Sequence, residues 1–181
     1  MRIISGKYKG KRLTAPKKLP VRPTTDMAKE ALFNILNNRY FFEDLSVLDL
    51  FSGTGNISFE FASRGSGNIT AVDGHTGCIR FISKTSTELN FEIDTVKSDV
   101  FKFLERTKNK YDIIFADPPY DLGLDKFSKI PELVFSNGLL LEEGALIIEH
   151  AEQTDLSELS HFTEKRKYGS SVFSFFEKSR S

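Results

Sequence analysis

The sequence predicts an α/β protein built on a doubly wound, mostly parallel sheet of seven strands that closes with an antiparallel strand, and three observations carry the prediction. From Ser46 onward, short apolar runs alternate with stretches of three- and four-residue periodicity, the pattern of strands joined by crossover helices. Several of those runs finish on or beside an acid followed by turn residues, and ligands of open α/β sheets bind at that edge. The last two runs are separated only by Tyr168-Gly-Ser-Ser171, which leaves room for a hairpin turn and none for a helix.

Taken in order, residues 1–25 form a basic arm, 26–40 a leading helix and 46–181 a Rossmann-like core, all within one domain. Gly6, Tyr8 and Gly10 break the arm's charge run like a short hairpin, and Ile3, Ile4 and Leu13 can pin it to the body. Thr25 or Asp26 caps the helix, in which Met27, Ala28, Ala31, Leu32, Ile35 and Leu36 recur on one face before Asn37-Asn38. Strands are expected at Val47 to Leu50, Ile69 to Val72, Thr95 to Lys97, Ile113 to Ala116, Ala145 to Glu149, Phe162 to Lys167 and Val172 to Phe176. Helices are expected at Ile57 to Ser63, Cys78 to Asn90, Val100 to Thr107 and Asp125 to Phe135.

A chain of 181 residues with 39% apolar content suits a single core. The start has no apolar signal region, and no run approaches the roughly 20 apolar residues of a membrane span, so a soluble cytoplasmic protein is expected. Cys78 stands alone and so forms no internal disulfide, and His75, His150 and His161 lack metal-ligand spacing, which makes a metal-free site the expectation. The net charge of zero hides an asymmetry: residues 1–22 carry eight basic side chains and no acid, leaving 17 basic against 25 acidic residues elsewhere. A basic arm on an acidic body suits phosphate binding, because phosphate neutralisation supplies most sequence-independent affinity for nucleic acid.

Four acids mark the candidate site. Asp49 opens Asp49-Leu-Phe-Ser-Gly-Thr-Gly55, a strand running through a glycine turn into a helix, where Gly53 and Gly55 permit a tight turn. An acid there repels pyrophosphate and attracts an ammonium group, so S-adenosylmethionine fits better than a dinucleotide; the same Asp can also cap backbone N–H groups. Asp73 ends the second strand, where a carboxylate can accept ribose hydroxyls. Asp99 follows the third strand, placed either beside an adenine amine or as the N-cap of the helix from Val100. Asp117-Pro-Pro-Tyr120 follows the fourth: the Asp117 carboxylate and the Pro118 carbonyl can accept the hydrogens of an exocyclic amine, Pro118 and Pro119 stiffen the turn, and Tyr120 can stack on a base. Arg22 reads equally as a surface charge or as a phosphate or cofactor contact.

Asp49-x-Phe-Ser-Gly-Thr-Gly55 with Glu60 and Ser63-Arg-Gly65, followed by Asp117-Pro-Pro-Tyr120, resembles the amino-methylating class I S-adenosylmethionine-dependent methyltransferases. Arg2-Ile-Ile-Ser-Gly-Lys-Tyr-Lys-Gly-Lys-Arg-Leu13, Arg22-Pro-Thr-Thr-Asp26 and Lys29-Glu-Ala-Leu-Phe-Asn34 are similar to the opening of the RsmD-type bacterial 16S rRNA guanine-N2 methyltransferases. Two positions depart from the family pattern: Met27 stands where Arg is common, and Asp73 where Glu is more usual. The segment Asp73-Gly-His-Thr-Gly-Cys78 is also unusually rich in glycine.

The resemblance implies S-adenosylmethionine as cofactor, held by Asp49, Phe51, Ser52, Gly53, Gly55, Asp73, Asp99 and Asp117, with Asp117, Pro118, Pro119 and Tyr120 as the catalytic group. It implies a guanine of 16S rRNA in the small ribosomal subunit as target, a monomeric enzyme, and RNA contacts from Arg2, Lys7, Lys9, Lys11, Arg12, Arg22 and Lys29. A DNA adenine-N6 methyltransferase shares the Asp-Pro-Pro-Tyr chemistry, and a non-catalytic nucleic-acid-binding module shares the basic arm. Recovery of N2-methylguanine or N6-methyladenine separates the first, and failure to bind S-adenosylmethionine marks the second.

Overall fold

A computed structural model of the chain describes residues 1–22 and 24–179; Pro23 of the Arg22-to-Asp26 motif and the last two residues of the predicted core lie outside the described residues. Among the described residues, seven strands form one sheet in the order β3-β2-β1-β4-β5-β7-β6. They are β1 (Ser46–Leu50), β2 (Asn68–Asp73), β3 (Ile93–Lys97), β4 (Tyr111–Ala116), β5 (Leu140–Ala151), β6 (Phe162–Tyr168) and β7 (Ser171–Glu177). The first five pair in parallel, whereas β7 runs antiparallel to both β5 and β6. The helices are α1 (Asp26–Asn37), α2 (Asn56–Ser63), α3 (Thr76–Leu89), α4 (Val100–Arg106) and α5 (Leu124–Ser136). The leading segment 26–40 is therefore helical only to Asn37; Thr25 caps it, its hydroxyl accepting from the Ala28 N–H.

Period-two alternation sends successive side chains of a strand to opposite faces, and both faces here are covered. Ile113 and Phe115 of β4 pack with Phe33 of α1, Phe61 of α2 and Phe173 of β7, while Ile114 and Ala116 pack on the other face with Leu104 of α4 and Ile130 of α5. Each such fully buried large side chain stabilises the fold by about 1.5–3 kcal/mol. The prediction for β5 was too short at both ends. The strand expected at Ala145 to Glu149 begins at Leu140 and continues through Glu142, Glu143 and Gly144, with Glu143 at φ 65° and a register shift against β4.

The amino-terminal segment lies on the body over a third apolar cluster of Ile3, Leu13, Phe59, Ile82 and Leu89. Arg2 and Arg12 form an isolated antiparallel bridge, and the Ile3 N–H donates to the Lys11 carbonyl at 2.9 Å. Gly6 makes the closest approach: at φ 88° an added Cβ would fall 1.9 Å from the Ser63 carbonyl oxygen, so no other residue fits. The anchor is Glu60 of α2, fully buried, whose two oxygens accept from the Ile4 N–H at 2.8 Å and the Ser5 N–H at 3.1 Å.

Candidate active site

Strands β1, β2 and β4 end at one edge of the sheet around a cavity of about 550 Å³. Its first half follows β1. Phe51 turns the chain at φ 53°, and the Ser52 N–H donates to the Val72 carbonyl at 3.0 Å, which ties the glycine turn to β2. The Gly53 N–H then donates to Asp73 Oδ2 at 2.9 Å, and the His75 N–H to Asp73 Oδ1 at 2.8 Å, so the carboxylate is fixed with lone pairs still free toward the cavity. Asp99 caps α4 by accepting from the Lys102 N–H at 3.0 Å, the N-cap of the two readings, and it also borders the cavity.

Asp49 is 1% exposed and accepts from Ser58 Oγ at 2.7 Å. Burial pushes its pKa up to about 7; the bonds from Ser58 oppose the rise and the Asp73 charge adds to it. Asp117 is held well above the usual carboxylate range by burial first and then by the charges of Glu149 and Asp49, with Arg22 opposing. Glu149, one strand over at the end of β5, is also 1% exposed and raised by burial, against the hydroxyl bonds from Thr24 and Ser171 and the charge of Arg22. Thr24 Oγ1 donates to Glu149 Oε2 at 2.6 Å, so the end of the amino-terminal arm is tied to the carboxyl half of the sheet.

The second half of the cavity is the Asp117-Pro-Pro-Tyr120 turn. All four of its residues line the wall, and the Tyr120 ring, 40% exposed, carries the Arg22 guanidinium stacked 3.6 Å from its centroid. That spacing is van der Waals contact between two flat groups, the geometry a base takes on an aromatic ring.

Of the residues predicted for the site, Asp49, Phe51, Ser52, Gly53, Asp73, Asp99, Asp117, Pro118, Pro119, Tyr120 and Arg22 share this one cavity. Gly55 does not line it. It starts α2 at φ 85°, and an added Cβ would fall 2.9 Å from the side chains of Ile82 and Phe59, so its role is in the turn and the packing behind the wall. Lys29 is also corrected: it is 1% exposed, with Nζ bonded to the Arg2 carbonyl at 2.6 Å and Asn56 Oδ1 at 2.8 Å and paired with Glu60 at 3.3 Å. A cation enclosed by those partners is unavailable to RNA. Lys7, Lys9, Lys11 and Arg12 are exposed outside the cavity, and Arg2 is half-exposed and paired with Asp26 at 3.1 Å. Glu149, Thr24 and Ser58 escaped the sequence reading, although an acid closing the apolar run Ala145 to Ile148 is a signal of the same kind as Asp49.

The cavity suits a cationic nucleoside cofactor. Among its described lining residues, the four carboxylates of Asp49, Asp73, Asp99 and Asp117 stand against a single cation, Arg22 at the Tyr120 end, and Ser52 Oγ is buried with no hydrogen-bond partner. A phosphate group has no counter-charge in the first half, whereas a hydroxyl or amino group has acceptors there. Among the described residues, no group of three or more His, Cys, Asp or Glu side chains is placed to hold a metal ion, and no helix is long and apolar enough to cross a membrane.

This sheet order with a crevice at the carboxyl ends of its parallel strands places the molecule among the Rossmann-like methyltransferases, and solved structures agree. An Escherichia coli protein solved as a candidate methyltransferase, yhhF, matches with a TM-score of 0.83 at 25% identity over 100% of this chain and 99% of that one. Residues 1–177 match the family described as conserved hypothetical protein 95, and the chain belongs to that family of RsmD-type rRNA methyltransferases. The ribosomal RNA small subunit methyltransferase D of Buchnera aphidicola is 33% identical over 155 residues, 85% of this chain and 77% of its own length. A Thermus thermophilus 16S rRNA N2 methyltransferase, RsmC, solved with AdoMet and guanosine, shares the fold, with a TM-score of 0.70 at 20% identity over 89% of this chain and 45% of that one.

Proposed function

We propose that the protein transfers a methyl group from S-adenosylmethionine to the exocyclic N2 amine of a guanine in 16S rRNA, acting as a monomer on the assembled small ribosomal subunit. One observation carries this: the amine-accepting turn Asp117-Pro-Pro-Tyr120 and the acids Asp49, Asp73 and Asp99 line a single cavity. The family's rRNA methyltransferases and the presence of AdoMet and guanosine in the similarly folded RsmC support it.

S-adenosylmethionine, when bound, supplies an electrophilic methyl group on a sulfonium. Asp73 would accept the ribose hydroxyls, Asp99 the adenine amine, and Asp49 would face the ammonium group, which favours its ionised form. The guanine amine is a poor nucleophile because its lone pair is delocalised into the ring. Accepting its two N–H groups at the Asp117 carboxylate and the Pro118 carbonyl orients it and localises that lone pair along the line of transfer, so rate comes from positioning and electrostatics. As the new N–C bond forms, one N–H proton becomes acidic and leaves late, through Asp117 Oδ to solvent. Burial beside Glu149 and Asp49, which raises the proton affinity of Asp117, suits that step. Tyr120 stacks on the base, a contact of about 1–3 kcal/mol. Arg22, already resting on that ring, and the exposed Arg2, Lys7, Lys9, Lys11 and Arg12 would meet phosphates.

Radiolabelled methyl transfer to small subunits from cells lacking the protein, to naked 16S rRNA and to duplex DNA tests this, with digestion of the product to nucleosides. Label in N2-methylguanine from subunits is expected. Label in N6-methyladenine from DNA would instead establish the adenine reaction, and no label with any substrate would remove the proposed activity.

A further inference from the structure

We propose that the surface groove between the amino-terminal segment and helix α3 is a track for the phosphodiester backbone of the RNA substrate, with Lys17, Arg80 and Lys84 as phosphate contacts. The proposal stands on the rRNA reading above and extends it to a face outside the catalytic cavity.

The groove encloses about 800 Å³ between residues of the 11–19 segment and α3. Lys11, Arg12 and Lys17 reach it from one wall and Arg80 and Lys84 from the other, all with exposed side chains. Arg80 and Lys84 are four residues apart, so they sit one above the other on a single helix face. Glu88 is the acid among the lining residues, and its pairing with Lys84 is long, at 4.0 Å, and exposed, so it cancels little of that charge. Five cations around one groove stand out on a chain whose residues beyond the first 22 carry more acids than bases. The apolar floor, with Leu13 and Phe81, offers faces for ribose and bases between the phosphate contacts.

The glycine-rich start of α3 explains why the two walls meet there. A Cβ on Gly77 would fall 2.7 Å from Leu19 Cδ2, so bare backbone at this point is the seat for Leu19. Pro20, Val21 and Arg22, the next three residues, line the catalytic cavity. The groove therefore ends where the cavity begins, and RNA lying along it arrives with Arg22 and Tyr120 ahead.

Anisotropy of a fluorescent 16S rRNA fragment on the full-length chain, without cofactor and across a salt series, tests the track together with KM and kcat for transfer to small subunits. Arg80→Glu with Lys84→Glu is expected to weaken RNA binding about tenfold or more at low salt and to reduce the salt slope by about 1.4–1.8 for two lost contacts. KM should rise while kcat at saturating RNA stays within about twofold, since neither residue touches the cavity. Arg80→Ala with Lys84→Ala should repeat the effect more weakly, and Arg106→Glu with Lys108→Glu, exposed and outside the groove, should leave binding within about twofold. Unchanged affinity in the groove variants overturns the proposal. So does an equal loss in the control pair, which would mean general charge, or a fall in kcat alone, which would mean an effect through the cavity. If the unaltered chain methylates no rRNA, the proposed reaction fails, while the affinities still decide the track.

Discussion

Glu60 under the amino-terminal segment and the carboxylates of Asp49, Asp117 and Glu149 around the cavity are all withdrawn from solvent, and their surroundings differ in one respect. Glu60 meets two backbone N–H groups and two cations, Lys29 at 3.3 Å and Arg64 at 2.8 Å. Asp49 and Glu149 meet hydroxyls, Asp117 feels the charges of both, and among the described residues Arg22 is the cation set against Asp117 and Glu149. A buried charge surrounded by its complements is a structural clamp, and here it holds the amino-terminal segment to α2. A buried group of acids left short of positive charge is held ready for cationic and hydrogen-donating ligands, and it costs stability until they arrive.

The contrast can be broken from either side. Glu60→Ala leaves Lys29 and Arg64 buried without their partner and should lower stability by about 3–5 kcal/mol, read as a fall in Tm with the amino-terminal segment becoming protease-sensitive. Asp117→Ala should do the reverse, lowering kcat about 10²–10³-fold while stability holds or rises, because a carboxylate disfavoured by burial and by the charges of Glu149 and Asp49 is gone. Equal losses of stability in the two variants would erase the distinction.

A pH series sharpens it further. Folded Asp49 keeps its proton up to about pH 7, whereas in the unfolded chain it ionises near its ordinary value of 3.8. Between those values the folded state binds more protons at this group, so the Asp49 contribution to stability should fall as pH rises from about 4 to 7, by up to about 1.4 kcal/mol per pH unit, and level off above. Asp49→Asn should flatten that slope in denaturant titrations. The smallest effect is expected from Thr24→Val, which removes the 2.6 Å bond to Glu149 and should cost about 1 kcal/mol in the same titration.

Much of the fold was legible before any coordinates. Strand runs such as Ile113 to Ala116 are nearly pure in apolar residues because both faces of the sheet are covered, and hairpin closure followed from the short Tyr168-to-Ser171 segment, whose two central residues join β6 to β7. The site acids were legible because each stands at a strand end beside a turn. Lys29 was misread although a signal existed: it lies three, four and seven residues before Leu32, Phe33 and Leu36, on the buried face of α1. Its charge argued for the surface, and only the position of Glu60 overrules that. Glu149 was passed over because its partner Thr24 is 125 residues away, beyond the reach of any local pattern.

The sequence by itself determined the elements, their alternation, the glycine turn after β1 and the Asp117-to-Tyr120 turn, because periodicity, capping and turn chemistry act over a few neighbouring residues. Only the tertiary structure decided which charges are clamps, which are left uncompensated, and that Leu19 on Gly77 lies between the basic groove and the acid-lined cavity. Burial and charge compensation depend on what distant segments bring together, and the energy of a buried ion is set by those neighbours rather than by its place in the chain.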